Sequence, residues 1–360
     1  MERPIQRPRI ADVAREAGVS KTAVSFAFNN PGRLASGTAR RIREVAENLG
    51  YRPDPVARML AQRRTMTLGV LTPQPLAVVF SNPFFALFGE GVADAADARG
   101  YDLRFVSPRD GSLATGVRRA TVDGVVALGL AGDHPEVEQI RASGLPMVLV
   151  DSADLPEHSS VVVDDEGGAR AAAAHLAGLG HRDVLVVAVE RPTPAVMRAI
   201  DRAVEGSADP PPGVADRRFR GYRAGLATAG IELRAGWVVA GRASIDGGEA
   251  AFREAWASGR RPTGVLAMGD AMAIGVMRAA RVLGLDVPGD LSVVGFDDID
   301  LAGLVEPGLS TVHQPIRQKG VEAVRLLLAE IEGGPARRPE HVRLDTGLVI
   351  RGSTGPAARA

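Results

Sequence analysis

Residues 10–65 read IADVAREAGVSKTAVSFAFNNPGRLASGTARRIREVAENLGYRPDPVARMLAQRRT. Ile10, Val13, Ala14 and Ala17 fall at i, i+3, i+4 and i+7, the apolar face of a short helix. Gly18 follows, a residue that accepts the left-handed turn closing a helix. Ser20 then caps a second helix running to about Asn29, with Val24 and Phe28 one turn apart and facing inward. A third helix carries Ile42, Val45, Ala46 and Leu49 at the same spacing and stops at Gly50. Three short helices, the first two joined by the tight Ala17-Gly18-Val19 turn, describe a helix-turn-helix. In that motif the N-terminal residues of the second helix reach base edges in the major groove.

Charge supports the same reading. The 360-residue chain has no net charge, but residues 1–65 hold 13 Lys and Arg against six acids, a net +7, and the remainder carries −7. A basic end on an acidic body is the electrostatic footprint of a phosphate-binding module joined to something else. A solvated basic tail fits less well, because these charges are interleaved with helix-periodic apolar residues. The chain has no cysteine, which excludes disulfides, zinc-thiolate sites and a thiol nucleophile. Its N-terminus lacks the apolar core of a secretion signal, and no uncharged apolar run reaches membrane-spanning length. A soluble, cytoplasmic protein without a membrane partner is expected.

The segments D-V-A-x-x-A-G-V-S, N-N-P, L-G-Y-x-P and A-R-x-L follow one another in an order that closely resembles the headpiece of the lactose/galactose repressor (LacI/GalR) family. The resemblance implies that Lys21 and Thr22 read bases. It places Ser20, Ser25, Asn29 and Tyr51 at or near phosphates and Arg33 at another contact position. Two residues depart from the pattern. Phe26 stands where many members carry an arginine, and Ala35 where a phosphate-binding serine is common. Phe26 lies off the Val24/Phe28 face, so it either meets DNA, as against a thymine methyl, or packs in the core.

Asp54-Pro55 sets an N-cap and a first-turn proline before a helix of about two turns, too short to persist alone in water. By the resemblance, such hinge helices form when paired across a dimer on DNA, with a leucine entering the minor groove. Leu60 matches that leucine and Ala57 lies one turn before it. The alternative is that Leu60 packs against the following domain. The resulting division is a headpiece at 8–52, a hinge at 53–65 and an effector-binding and dimerisation domain at 66–352.

From Thr67 onward, short β-branched runs alternate with helical stretches. Strands are expected at 68–71, 101–106, 124–128, 146–150, 184–188, 237–239, 264–267 and 291–295, and helices at 84–99, 166–179, 219–229, 247–257 and 270–283. Such alternation gives doubly wound parallel sheets with ligands beyond the carboxyl ends of the strands. Two series fit the two lobes of a periplasmic-binding-protein-like domain. SNPFF (81–85), VDD (163–165), LGHR (179–182), the stretch 268–298 and LSTVHQPI (309–316) extend the resemblance over nearly the whole chain. The N-lobe is expected at 66–161 plus 297–320 and the C-lobe at 162–295 plus 321–352. Residues 107–121 leave room for one helical turn near Val117, and residues 190–214 are longer than the usual loop.

By the resemblance Phe84, Phe85, Arg218 and Asp297 line the cleft, and Asp151 and Asp270 end strands that face it. An arginine fork with a carboxylate brackets vicinal hydroxyls, and an aromatic face covers the apolar side of a sugar. Arg218 and Asp297 are expected to meet across the cleft. For each of these residues the competing role is a lobe-bridging ion pair, a helix cap or core packing. Enzyme motifs, phosphate-cofactor loops and metal-ligand spacings are not found, and no cofactor is implied. The expected protein is a homodimeric repressor on a pseudo-palindromic operator, controlled by a small sugar-like effector. The rivals are a transport receptor, which should lack residues 10–60, and a sugar-processing enzyme, which would need an acid/base pair or a metal cluster.

Overall fold

The computed structural model describes residues 8–29, 31–53, 59, 64–73, 75–108, 111–130, 135–152, 155–189, 213–333 and 338–357. The chain divides into two units, residues 1–66 and 67–360.

In the first unit, α1 (Ile10–Glu16), α2 (Lys21–Asn29) and α3 (Ser36–Asn48) pack on one another around Val13, Val24, Ala27, Ile42 and Ala46. Gly18 adopts φ +63 and lets the chain turn between α1 and α2. Ser20 caps α2 by accepting from the Ala23 amide at 3.1 Å. Arg43 of α3 donates to the Ala27 carbonyl near the end of α2, at 3.2 and 3.0 Å, which ties the two helices together. Ala35 occupies the N-cap of α3 without a side-chain cap. Ala57 and Leu60 lie outside the described residues.

The second unit is built on two six-stranded sheets. In the first lobe β1 (Thr67–Leu71), β2 (Asp102–Val106), β3 (Gly124–Leu128), β4 (Met147–Val150), β5 (Ser160–Val163) and β11 (His341–Leu344) lie in the order β11-β5-β4-β3-β1-β2. All of its pairings are parallel. α4 (Leu76–Val79), α5 (Pro83–Asp97), α6 (Leu113–Ala120), α7 (Pro135–Ala142) and α13 (Ile316–Gly333) belong to this lobe. The second lobe holds β6 (Val184–Ala188), β7 (Val238–Ala240), β8 (Gly264–Ala267), β9 (Ser292–Asp297), β10 (Ser310–His313) and β12 (Gly347–Val349). Their order is β12-β10-β9-β8-β6-β7, with β12 antiparallel to β10. Around this sheet lie α8 (Asp165–Gly178), α9 (Val214–Ala227), α10 (Ile245–Ala257), α11 (Asp270–Val282) and the short α12 (Asp300–Leu304). β3, β4, β6, β8 and β9 are buried along their whole length, as strands covered on both faces must be.

Glycines set how closely the helices approach. A Cβ on Gly221 of α9 would stand 2.3 Å from the Glu166 carbonyl oxygen, and one on Gly225 would stand 2.4 Å from that of Arg170. Backbone therefore meets backbone along the α8–α9 seam, and a side chain at either position would force it apart.

The structure corrects three expectations. Residues 297–313 stay in the second lobe, because β10 pairs with β9 there, whereas α13 and β11, residues 316–333 and 341–344, return to the first. The chain thus crosses between lobes after β5, after β10 and after β11. A strand's sheet is fixed by its lateral partner, which sequence order does not supply. Residues 113–120 form two full turns, not one, because Ser112 caps them through the Thr115 amide at 3.1 Å and Glu136 accepts from the Ala114 amide at 2.6 Å. The short strands β5, β10, β11 and β12 and the long helix α13 were not anticipated at all.

Candidate nucleic-acid face and effector cleft

On the first unit Ser20, Lys21 and Thr22 are exposed at the start of α2. Ser25 and Asn29 lie one turn apart farther along it, and the Asn29 amide donates to Ser25 Oγ at 3.2 Å. Phe26 is half-buried but does not belong to the helical core; the Arg33 guanidinium covers its ring at 5.5 Å. Tyr51 lies against Phe28 with ring centroids 6.0 Å apart, so its ring helps build the core. The result is a three-helix unit with a polar, basic second-helix N-terminus facing outward, which suits phosphate and base contact.

Between the lobes of the second unit is a cavity of about 360 Å³. Phe84 and Phe85 from the start of α5 line it, their rings set edge to face with centroids 5.5 Å apart. Asn82 caps that helix by accepting from the Phe84 amide at 3.1 Å, and this fixes where the aromatic wall begins. Asp151 lines the cavity at the end of β4, and Asp297 lines it at the end of β9. Both depart from ordinary backbone geometry, with φ +53 and φ +120. Non-glycine residues in these regions are costly, and such strain gathers at ligand sites.

A chain of buried charge underlies the cavity. Lys319 of α13 is fully buried, and its ammonium donates to both Asp151 oxygens, at 2.8 and 2.7 Å, and to Gln314 Oε1 at 2.5 Å. Gln314, on the crossover between β10 and α13, donates in turn to Asp297 Oδ1 at 2.5 Å. Arg218 lies 3.7 Å from the same Asp297 oxygen, donates to Asp165 Oδ1 at 2.8 Å and to the Met268 carbonyl at 2.6 Å, and stacks 3.6 Å over the Phe296 ring. Burial lifts the Asp297 carboxyl to about 6 despite Arg218 beside it. Burial also opposes the Asp165 carboxylate, but Arg218 and Arg217 outweigh it and hold that group below the usual range.

Two site expectations change here. Arg218 and Asp297 do not face each other across the cleft; α9 and β9 belong to one lobe, and the pair meets within it. Asp270 is fully buried and is not part of the cavity wall. Its oxygens accept from Thr311 Oγ1 at 2.5 Å and from the Ile299 amide at 2.9 Å, tying α11 to β10 and to the turn between β9 and α12. Burial, reinforced by the charge of Asp297, pushes its carboxyl well above the ordinary range. Sequence reasoning missed Lys319, Gln314, Asn82 and Asp165 as members of the site. Only Asn82, placed before Pro83 as an N-cap, carried a local signal. Residues 190–212 lie outside the described residues. Among the described residues no group of acids and histidines could hold a metal ion, and no helix is long and apolar enough to cross a membrane.

A basic helix-turn-helix joined to a two-lobed unit with a cavity at its cleft defines the class: a DNA-binding transcription regulator with a ligand-binding domain. Residues 9–54 match the description "Bacterial regulatory proteins, lacI family", and residues 173–354 match "Periplasmic binding protein-like domain". An HTH-type transcriptional regulator of Mycobacterium tuberculosis (strain ATCC 25618 / H37Rv) is 34% identical over 363 residues, covering 99% of each chain. Among solved structures, a complex of the transcriptional regulator CelR with cellobiose is similar with TM-score 0.69 and 30% identity, covering 96% of this chain and 100% of that one. The lac repressor dimer bound to operator and the anti-inducer ONPF gives TM-score 0.79 and 25% identity, covering 97% and 100%. The chain belongs to the lacI family of bacterial regulatory proteins.

Proposed function

We propose that this protein is a cytoplasmic, homodimeric repressor of a pseudo-palindromic operator, released or engaged by a sugar-like effector held between the lobes. The observation that carries the reading is the 360 Å³ cavity, with the Phe84/Phe85 wall on one lobe and Asp297 beside Arg218 on the other. Aromatic faces cover the apolar side of a pyranose ring, and carboxylates accept from its hydroxyls. The cellobiose bound by CelR supports this ligand class. Phe84, Phe85, Asp151, Arg218 and Asp297 are the proposed effector contacts, and Asp270 has a structural role instead.

On the DNA side, Ser20, Lys21, Thr22, Ser25, Phe26, Asn29, Arg33 and Tyr51 are the proposed contacts, with Ala57 and Leu60 of the hinge in the minor groove. The effector acts by binding one arrangement of the lobes better than another, which shifts their population. A thermal-shift screen across neutral sugars, nucleosides and metabolites, followed by operator titration with each stabilising compound, tests the reading. At least one hydroxyl-rich compound should raise the melting temperature and change operator affinity. Stabilisation by nucleosides alone would overturn the sugar assignment. Deleting residues 1–60 should abolish operator binding, and retained binding would sink the headpiece assignment.

A further inference from the structure

Among the described residues, two side chains reach directly from one lobe to the other beside the cavity: Arg217 of α9 donates to the Ser152 carbonyl of the first lobe at 3.3 Å, and Asn82 makes the reverse contact at the cavity wall. Asn82, 9% exposed, belongs to the first lobe at the N-cap of α5. Its Nδ2 donates to the carbonyl oxygen of Ala243, which lies between β7 and α10 of the second lobe, at 3.1 Å. Asn82 and Ala243 both line the cavity. The bond lies outside the three chain crossovers, so no covalent connection between the lobes holds it. From these contacts the geometry points to Asn82 as a closing latch: one amide that fixes the aromatic wall through its oxygen and draws the opposite lobe over the cleft through its nitrogen.

The division of labour follows from the amide. The oxygen is engaged by the Phe84 amide, so the flip state that presents Nδ2 to Ala243 is set by the helix cap and not by the second lobe. An asparagine nitrogen carries two N–H groups, and Ala243 takes one. Among the described residues the second has no acceptor, which leaves it for a ligand in the cavity. A ligand that accepts it stiffens the rotamer that bridges the lobes, so occupancy of the cavity and closure of the cleft reinforce each other. This coupling rests on the effector reading above. The latch itself does not, because it is a bond between two groups of this chain.

Two substitutions separate the latch from the cap. Aspartate and serine both cap helices well. Neither Asn82→Asp nor Asn82→Ser can donate to Ala243 as the amide does, the first for want of a donor and the second for want of reach. Hydrogen exchange followed by mass spectrometry on the full-length, effector-free protein reads the outcome. Losing one hydrogen bond of ordinary strength multiplies the open population by about three- to tenfold. Exchange of amides at 240–246 and 70–73 should accelerate by that factor in both variants, with exchange at the 160–164 crossover unchanged. Wild-type exchange at those segments in both variants overturns the latch. Acceleration spread evenly over the second unit with a lowered melting temperature overturns it too, since Asn82 would then be only a cap. Because no effector is present, a failed sugar screen leaves this result standing by itself.

Discussion

Replacing Asp297 by asparagine should stabilise the effector-free protein at neutral pH, the reverse of the usual effect of removing a buried charged residue. Asp297 is 7% exposed, and burial raises its carboxyl from 3.8 to about 6. A raised folded-state value means that the native protein holds the proton more tightly than the unfolded chain. Below about pH 4 both states are protonated and the group costs nothing. Between about 4 and 6 the native state must increasingly carry an unfavourable charge, so stability falls as pH rises through this window and stays reduced above it. A rise of about two pK units at 1.36 kcal/mol each places the full cost near 3 kcal/mol at pH 7.5. Asparagine removes the charge, and its Oδ1 still accepts from Gln314. Arg218 keeps Asp165 at 2.8 Å and loses only the longer contact at 3.7 Å. The net gain should therefore be about 1–3 kcal/mol at pH 7.5, shrinking to zero near pH 4. Urea titrations of wild type and Asp297→Asn at half-unit pH steps give the difference directly. A variant less stable than wild type at pH 7.5, or a difference independent of pH, would refute the assignment of Asp297 as a charge held at a cost.

Three further outcomes follow from other parts of the molecule. Lys319→Met should cost about 3–5 kcal/mol in chemical denaturation, since it leaves buried Asp151 without its cation, and Lys319→Met with Asp151→Leu should cost less than the single change. Gly225→Ala should cost about 1–3 kcal/mol by thermal melting, because its methyl would meet the Arg170 carbonyl oxygen at 2.4 Å and Ala173 Cβ at 2.7 Å. If Leu60 is the minor-groove wedge, Leu60→Ala should weaken operator binding and reduce DNA bending with the melting temperature unchanged; a core-sized loss of stability would instead place Leu60 inside the protein.

Features encoded within a single segment could be read from the residues. The α1–α2 turn was legible because Gly18 and Ser20 carry backbone and capping requirements in their own identities, and the buried strands β3, β4, β6 and β8 were legible as unbroken apolar runs. The aromatic pair Phe84-Phe85 and the strand end at Asp297 were within reach for the same reason. The division of the lobes was not, because Ser310–His313 reads like a loop until β9 lies beside it. Tertiary structure alone decided that Asp270 belongs to the interior, through Thr311 41 positions away. It decided likewise that Lys319 reaches Asp151 across 168 positions, and that Asn82 reaches Ala243 across 161. Periodicity reports which face of a segment leaves water. It is silent on which distant group will be waiting there, and for a charge or an amide that partner sets whether the residue is a cap, a strut or a sensor.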